Sequence, residues 1–218
     1  MNQNTRKRHI SPIDSLIINF DRGVRTIFGK PDITERPDPS TNIEESELTD
    51  SEKKLSAGLM RVNHAGEVAA QALYQGQALT ARNDNVKEQM QRSAQEEYDH
   101  LDWCEKRIKA LDSHTSHLNP LWYTGSLAIG AFAGAIGDKW SLGFVVETEK
   151  QVGKHLKEHL KELPKADNKS RAVLEQMDID EAEHADTAQK AGAAQLPEPV
   201  KAAMQFTSKI MTKTAYYL

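Results

Sequence analysis

Along most of this chain apolar residues recur at three- and four-residue intervals with polar residues between them, the pattern of amphipathic helices. A first helix is expected from the Ser11-Pro12 cap to about Phe28, stopped by Gly29, with Ile13, Leu16, Ile17, Ile18, Phe20, Val24, Ile27 and Phe28 as its apolar surface. Lys30 to Glu47, rich in Pro, Asp, Glu, Ser and Thr, predicts an exposed linker. Helices are then expected from about Thr49 to Arg82, Val86 to Leu111, Asn168 to Ala193 and Val200 to Leu218. Between the second and third of these, Pro120 to Gly137 carries no charge, and Asp138-Lys139 interrupts before the apolar SLGFVVE. This stretch predicts a long approach to a helix carrying Glu147 and Glu149, its apolar surface meeting a bilayer or lining a pocket for a greasy ligand; a plain core helix is the alternative. The divisions expected are an N-terminal helix with linker over residues 1–47 and one helical domain over residues 48–218.

Candidate chemistry sits on two of these helices. QEEYDHLD (95–102) and DEAEHAD (180–186) each place a Glu three residues before a His, Glu97 with His100 and Glu181 with His184. On a helix that spacing sets carboxylate and imidazole side by side. Either pair alone would pass for a solvated face, but each is preceded by another helical Glu, Glu67 by 30 residues and Glu149 by 32. Breakers fall between the members of each set, Asn83-Asp84-Asn85 in one half and Pro164 to Asn168 in the other, so each half folds as a hairpin with its acids at similar depth. Two such hairpins make a four-helix bundle with six inward ligands: Glu67, Glu97, His100, Glu149, Glu181 and His184. By spacing, this is the pattern of the ferritin-like di-iron or di-manganese carboxylate proteins.

Other polar residues are assigned elsewhere. Glu96, Asp99 and Asp102 fall off the ligand face and are expected in solvent, as is His159, while Glu183 faces away. His64 is expected to support or pack, because the second half has no counterpart; His155 lies too far along its helix to be a ligand, and His114 and His117 belong to a loop. Gly66 and Gly76, costly within a helix, are expected to serve packing or access. The last helix, with Lys201, Lys209, Lys213 and a Tyr216-Tyr217-Leu218 end, suits docking or a membrane interface.

Composition narrows this little further. A chain of 218 residues with net charge −4 can bury one good core and has no basic surplus for nucleic acid. The single cysteine, Cys104, excludes an internal disulfide, fits a reducing cytosolic setting and reads as a small buried hydrophobe. The basic start is followed by no continuous apolar run, so no secretion signal is expected. Oxygen and imidazole ligands without sulfur suit iron or manganese, and four carboxylates with two divalent cations cancel.

Taken together, GLMRVNHAGE with ALYQGQ, EEYDHL, PLWY with its Gly/Ala-rich continuation, VVETE and DEAEH resemble the demethoxyubiquinone hydroxylases, or 3-demethoxyubiquinol 3-hydroxylases, over most of the chain from about residue 48. The resemblance implies an all-α, ferritin-like four-helix bundle with extra N- and C-terminal helices, and two iron ions per chain on the same six ligands. It also implies an O2-dependent di-iron monooxygenase acting on a polyprenylated demethoxyubiquinol in ubiquinone biosynthesis, peripheral on the cytoplasmic face of the cell membrane. Homo-oligomers or partners from the same biosynthesis are compatible with it. Asn63 stands where eukaryotic members often have Asp. The alternatives are a ferritin-like iron-storage or peroxide-scavenging protein, and a membrane-associated helical scaffold that binds no metal.

Overall fold

A computed structural model describes residues 12–28 and 36–218. The basic start, the Ser11 cap, the Gly29 stop, residues 30–35 of the linker and the side chains of Ile13 and Leu16 lie outside what it describes. Seven α-helices make up the described chain: α1 (Pro12–Phe28), α2 (Asp50–Thr80), α3 (Asp84–Ala110), α4 (Asn119–Ile136), α5 (Asp138–Glu162), α6 (Asn168–Lys190) and α7 (Glu198–Ala215).

Local chemistry sets the ends of the bundle helices. Thr49 and Glu52 form a capping box at the start of α2, Thr49 Oγ1 accepting from the Glu52 amide while Glu52 accepts from that of Thr49. Asn83 caps α3, and Asp167 caps α6 by accepting from the Ser170 amide at 3.0 Å. Asp138, opening α5, accepts from the amides of Arg82 and Asn83 and so fastens the α2–α3 turn to the second half of the molecule.

Helices α2, α3, α5 and α6 form the four-helix bundle. α2–α3 and α5–α6 are antiparallel hairpins, and α5 runs against α2, with Ser141 beside Gln77 and His159 beside Asn63. α3 and α5 therefore run the same way, which requires the chain to cross the length of the bundle between them. α4 is that crossover, lying parallel to α2 with Gly130 on Leu73 and Gly134 on Gln77. One long crossover is the ferritin-like connectivity. Two apolar clusters fill the bundle, one around Met60, Trp103, Leu156 and Met177 and the other around Tyr74, Met90, Leu142 and Val145. The six candidate ligands lie between them.

Several expectations change. The apolar stretch and the Glu149 helix are two helices, not one long approach, because Gly137 breaks them with φ 147°, a conformation open to glycine. α4 buries Gly130, Ala133 and Gly134 against α2 and leaves Leu121, Ile129, Phe132 and Ile136 exposed, so it is no plain core helix. Gly76 is pressed against the α4 backbone, whereas a Cβ on Gly66 would meet nothing within 4 Å, so packing accounts for only one of the two. His159 is buried rather than at the surface, its Nδ1 3.0 Å from Asn63 Oδ1. His64 is a buried packing residue, and His114 and His117 stack in the α3–α4 loop with ring centroids 4.5 Å apart. Residues 36–49 are only about half exposed, because Arg36 and Glu45 fasten them to the bundle, while Ser40, buried, bonds to Asp38 within the segment. The end of α7 docks: Tyr216 covers Gly58, and its carbonyl accepts from Arg61.

The glycine contacts between α2 and α4 can be tested directly. A Cβ on Gly130 would lie 2.2 Å from the Leu73 carbonyl oxygen. Backbone cannot yield as a side chain does, so Gly130→Ala should destabilise by about 2 kcal/mol or more. Gly66→Ala, with open space around it, should instead gain up to about 1 kcal/mol of helix propensity. Urea midpoints of the two variants should therefore move in opposite directions.

Candidate metal centre

Each bundle helix contributes to one buried cluster. Glu67 comes from α2, Glu97 and His100 from α3, Glu149 from α5, and Glu181 and His184 from α6. All six residues singled out by spacing are brought together, in two sets whose donor atoms lie within 4.8 Å of one another: Glu67, Glu97, His100 and Glu181, then Glu149, Glu181 and His184. Glu147, two residues from Glu149, instead bonds to Gln151 outside the cluster.

The two histidines face inward through Nδ1. His100 Nδ1 has Glu181 Oε1 at 3.1 Å, Glu97 Oε2 at 3.2 Å and Glu67 Oε2 at 3.6 Å. His184 Nδ1 has Glu181 Oε2 at 3.2 Å and Glu97 Oε1 at 3.5 Å. Glu97 and Glu181 thus each turn one oxygen toward each histidine, while Glu67 stands beside His100 and Glu149 belongs with His184. The outward nitrogens are held by carboxylates from the facing helix, His100 Nε2 by Asp180 at 2.9 Å and His184 Nε2 by Glu96 at 2.7 Å. An imidazole that donates through Nε2 keeps the Nδ1 lone pair for a metal, the usual carboxylate–histidine–metal arrangement.

Sequence reasoning missed these outer partners. Glu96 holds His184 rather than standing free in solvent, and Asp99 is buried, its carboxylate 3.0 Å from Arg36 Nε. Asp180 and Tyr74, which donates its hydroxyl to Glu149 Oε1, were not singled out at all. Asp180 stands next to Glu181 in sequence, one helical step off the ligand face, and only the packing of α6 on α3 aims it at His100.

Do these residues suit a metal? Glu97 Oε1 and Glu149 Oε2 are buried and accept no hydrogen bond, and unsatisfied carboxylate oxygens in a bundle interior are costly unless a cation completes them. Oxygen donors with imidazole and no sulfur match iron. Without an ion, protons must take its place. Burial and the neighbouring Glu97 push Glu67 well above the usual carboxylate range, and burial with Glu181 does the same to Glu149. Burial opposes the charged forms of His100 and His184, but it is outweighed by the carboxylates around each ring, Asp180 and Glu181 foremost for His100 and Glu181 and Glu96 for His184, so both are raised.

These shifts give metal removal a pH signature. An unfolded histidine releases its proton near pH 6.5, whereas the native metal-free centre keeps it; this stability is full below that value and lost as pH rises. Metal-free protein should lose stability from about pH 7 to about pH 9, by up to about 1.4 kcal/mol per unit for each histidine. Iron(II)-loaded protein, whose histidines are neutral ligands, should be more stable and have a flatter profile. Urea unfolding of both forms across that range checks it; a metal-free midpoint independent of pH would contradict the reading.

Comparison with known proteins agrees with the geometry. The family model described as "Ubiquinone biosynthesis protein COQ7" matches residues 54–215, which include all six candidate ligands. The 3-demethoxyubiquinol 3-hydroxylase of Nitrosococcus oceani is 56% identical over 211 residues, covering 97% of this chain and 99% of that protein. Those of Nitrosospira multiformis and Pseudomonas fluorescens are 58% and 54% identical, covering 94% and 97% of this chain and 99% of each relative. With a helical bundle, a buried Glu/His cluster able to hold iron and matches of this extent, the chain belongs to the COQ7 ubiquinone biosynthesis family.

Proposed function

We propose that this chain is an O2-dependent di-iron monooxygenase that hydroxylates the ring of a polyprenylated demethoxyubiquinol in ubiquinone biosynthesis, working from the cytoplasmic face of the cell membrane. The observation that carries this is the buried six-ligand cluster in a chain alike, over nearly its whole length, to 3-demethoxyubiquinol 3-hydroxylases. Two iron ions would sit side by side, one held by Glu67 and His100 and the other by Glu149 and His184, with Glu97 and Glu181 shared between them. Iron, when bound, would supply activation of O2, one atom entering the ring as hydroxyl and the other leaving as water with two electrons and two protons from an external reductant. The protein's own residues supply position and dryness. Tyr74, its proton held tightly by burial and by Glu149, steadies that carboxylate; the apolar clusters above and below keep bulk water out.

A greasy substrate also suits the surface. Ile18, Phe20, Val24 and Phe28 of α1 and Ile129, Phe132 and Ile136 of α4 are exposed, and α1 meets α4 where Gly23 lies on Tyr123. Among the described residues no helix is long and apolar enough to cross a membrane, which supports peripheral contact through this surface. Between α1, α2 and α3 opens a cavity of about 420 Å³, its rim including Ile18 and Leu79 and its lining Gln71 and Tyr98, the residue that follows Glu97 on α3; none of the six ligands lines it. Its opening beside the exposed face of α1 supports it as a place for the substrate's apolar tail.

Mass spectrometry of quinones from cells deleted for this chain tests the reaction. Expected are loss of ubiquinone and accumulation of a species lacking one methoxy group, reversed by wild type but not by Glu97→Ala. An unchanged quinone profile would overturn the hydroxylase reading, and many irons per chain rather than about two would favour storage. For the surface, Phe132→Asp with Phe20→Asp should weaken partitioning onto phospholipid vesicles by about a hundredfold or more, since burying two aromatic side chains contributes several kcal/mol, while leaving bound iron unchanged; undiminished binding would remove these helices as the contact.

A further inference from the structure

Each centre histidine is backed by a carboxylate, and each carboxylate by an arginine, but the two arrangements differ. Behind His184, Glu96 pairs with Arg92 one turn away on the same exposed helix face. Behind His100, Asp180 is held by Arg36, which belongs to no bundle helix and is 144 residues distant. Its Nη1 lies 3.0 Å from Asp180 Oδ1 and its Nη2 2.8 Å from Oδ2, a two-pronged grip, while its Nε reaches Asp99 Oδ2 on α3 at 3.0 Å. One guanidinium thus ties α3 to α6 beside the centre. Its Cζ also stands 5.0 Å over the Trp103 ring, which lies 5.4 Å from that of His100. Farther along the same segment Glu45 binds Arg107 at 2.9 Å, a second tether that touches nothing in the centre.

We propose that Arg36 is a positioning residue of the metal centre: by gripping Asp180 from two sides it fixes the His100 ring with Nδ1 turned inward, and so slows loss of the ion that His100 and Glu67 hold. A planar, two-pronged cation aligns a carboxylate as a point charge cannot. Carboxylates behind metal-bound histidines typically govern affinity by 10- to 100-fold. Arg36 acts one step farther out, on the carboxylate itself. The effect falls first on the ion that His100 and Glu67 hold, because Arg36 bonds the carboxylate behind His100 and not Glu96, the carboxylate behind His184.

This rests on the reading that the six residues hold two irons, and iron release from loaded protein separates the two claims. With an excess of an iron(II) chelator under anaerobic conditions, Arg36→Gln should release its first iron about tenfold faster than wild type. Mössbauer spectra should show one of two iron signals altered. Arg36→Lys should fall between the two proteins, which keeps the test open if the glutamine variant folds poorly. Glu45→Ala, which loosens the same segment without touching Asp180, should release iron as wild type does. Wild-type release kinetics in both Arg36 variants, or acceleration in Glu45→Ala equal to that in Arg36→Gln, would overturn the clamp while leaving the metal centre standing. A wild-type protein that binds no iron would instead overturn the centre, and the clamp with it.

Discussion

Four carboxylates converge in the middle of this bundle, and the rest of the fold is arranged around the work of keeping them there. Forced together in an apolar interior they repel; burial makes Glu67 and Glu149 resist ionisation, and Glu97 and Glu181 stay ionised only because His100 and His184 face them, so the arrangement holds only if positive charge sits among them. On the function proposed above metal provides that charge, and protons on the histidines and on Glu67 and Glu149 provide it otherwise. The two apolar clusters, one at each side of the centre along the bundle, supply the burial that sets four helices close enough to converge. Metal affinity and fold stability are therefore one quantity seen from two sides.

Much of this was legible from residue order because a ligand set built on helices must obey helical spacing. The Glu-x-x-His pairs and their distant Glu partners fix rotation about each helix and depth along it, and breakers midway between them fix the hairpins. What stayed hidden depended on neighbours far away in sequence. Asp99, Asp180 and Glu96 look like ordinary surface acids beside the ligands, and only the approach of α3 to α6 sets them against the histidines and Arg36. His159 sits in a run of lysines and glutamates that reads as solvent-facing, yet α2 covers it through Asn63.

The division of the apolar stretch was hidden for a different reason. Its glycines look alike in the sequence but serve unlike purposes. Gly130 and Gly134 let α4 touch α2, Gly137 ends α4 in a conformation other residues avoid, and Gly125 would meet nothing if it carried a side chain. Periodicity cannot separate these roles, because a residue with no side chain leaves no pattern of its own.

The seam between α2 and α4 sets a limit on how this protein can change over time. Where side chains interlock, an enlarged residue can be accommodated later by a smaller one across the interface. At Gly76 and Gly130 the opposing surface is backbone, and there is nothing on it to trim. Sequence drift at these positions therefore has no nearby remedy, and the crossover helix is free to vary only on the face it turns away from the bundle.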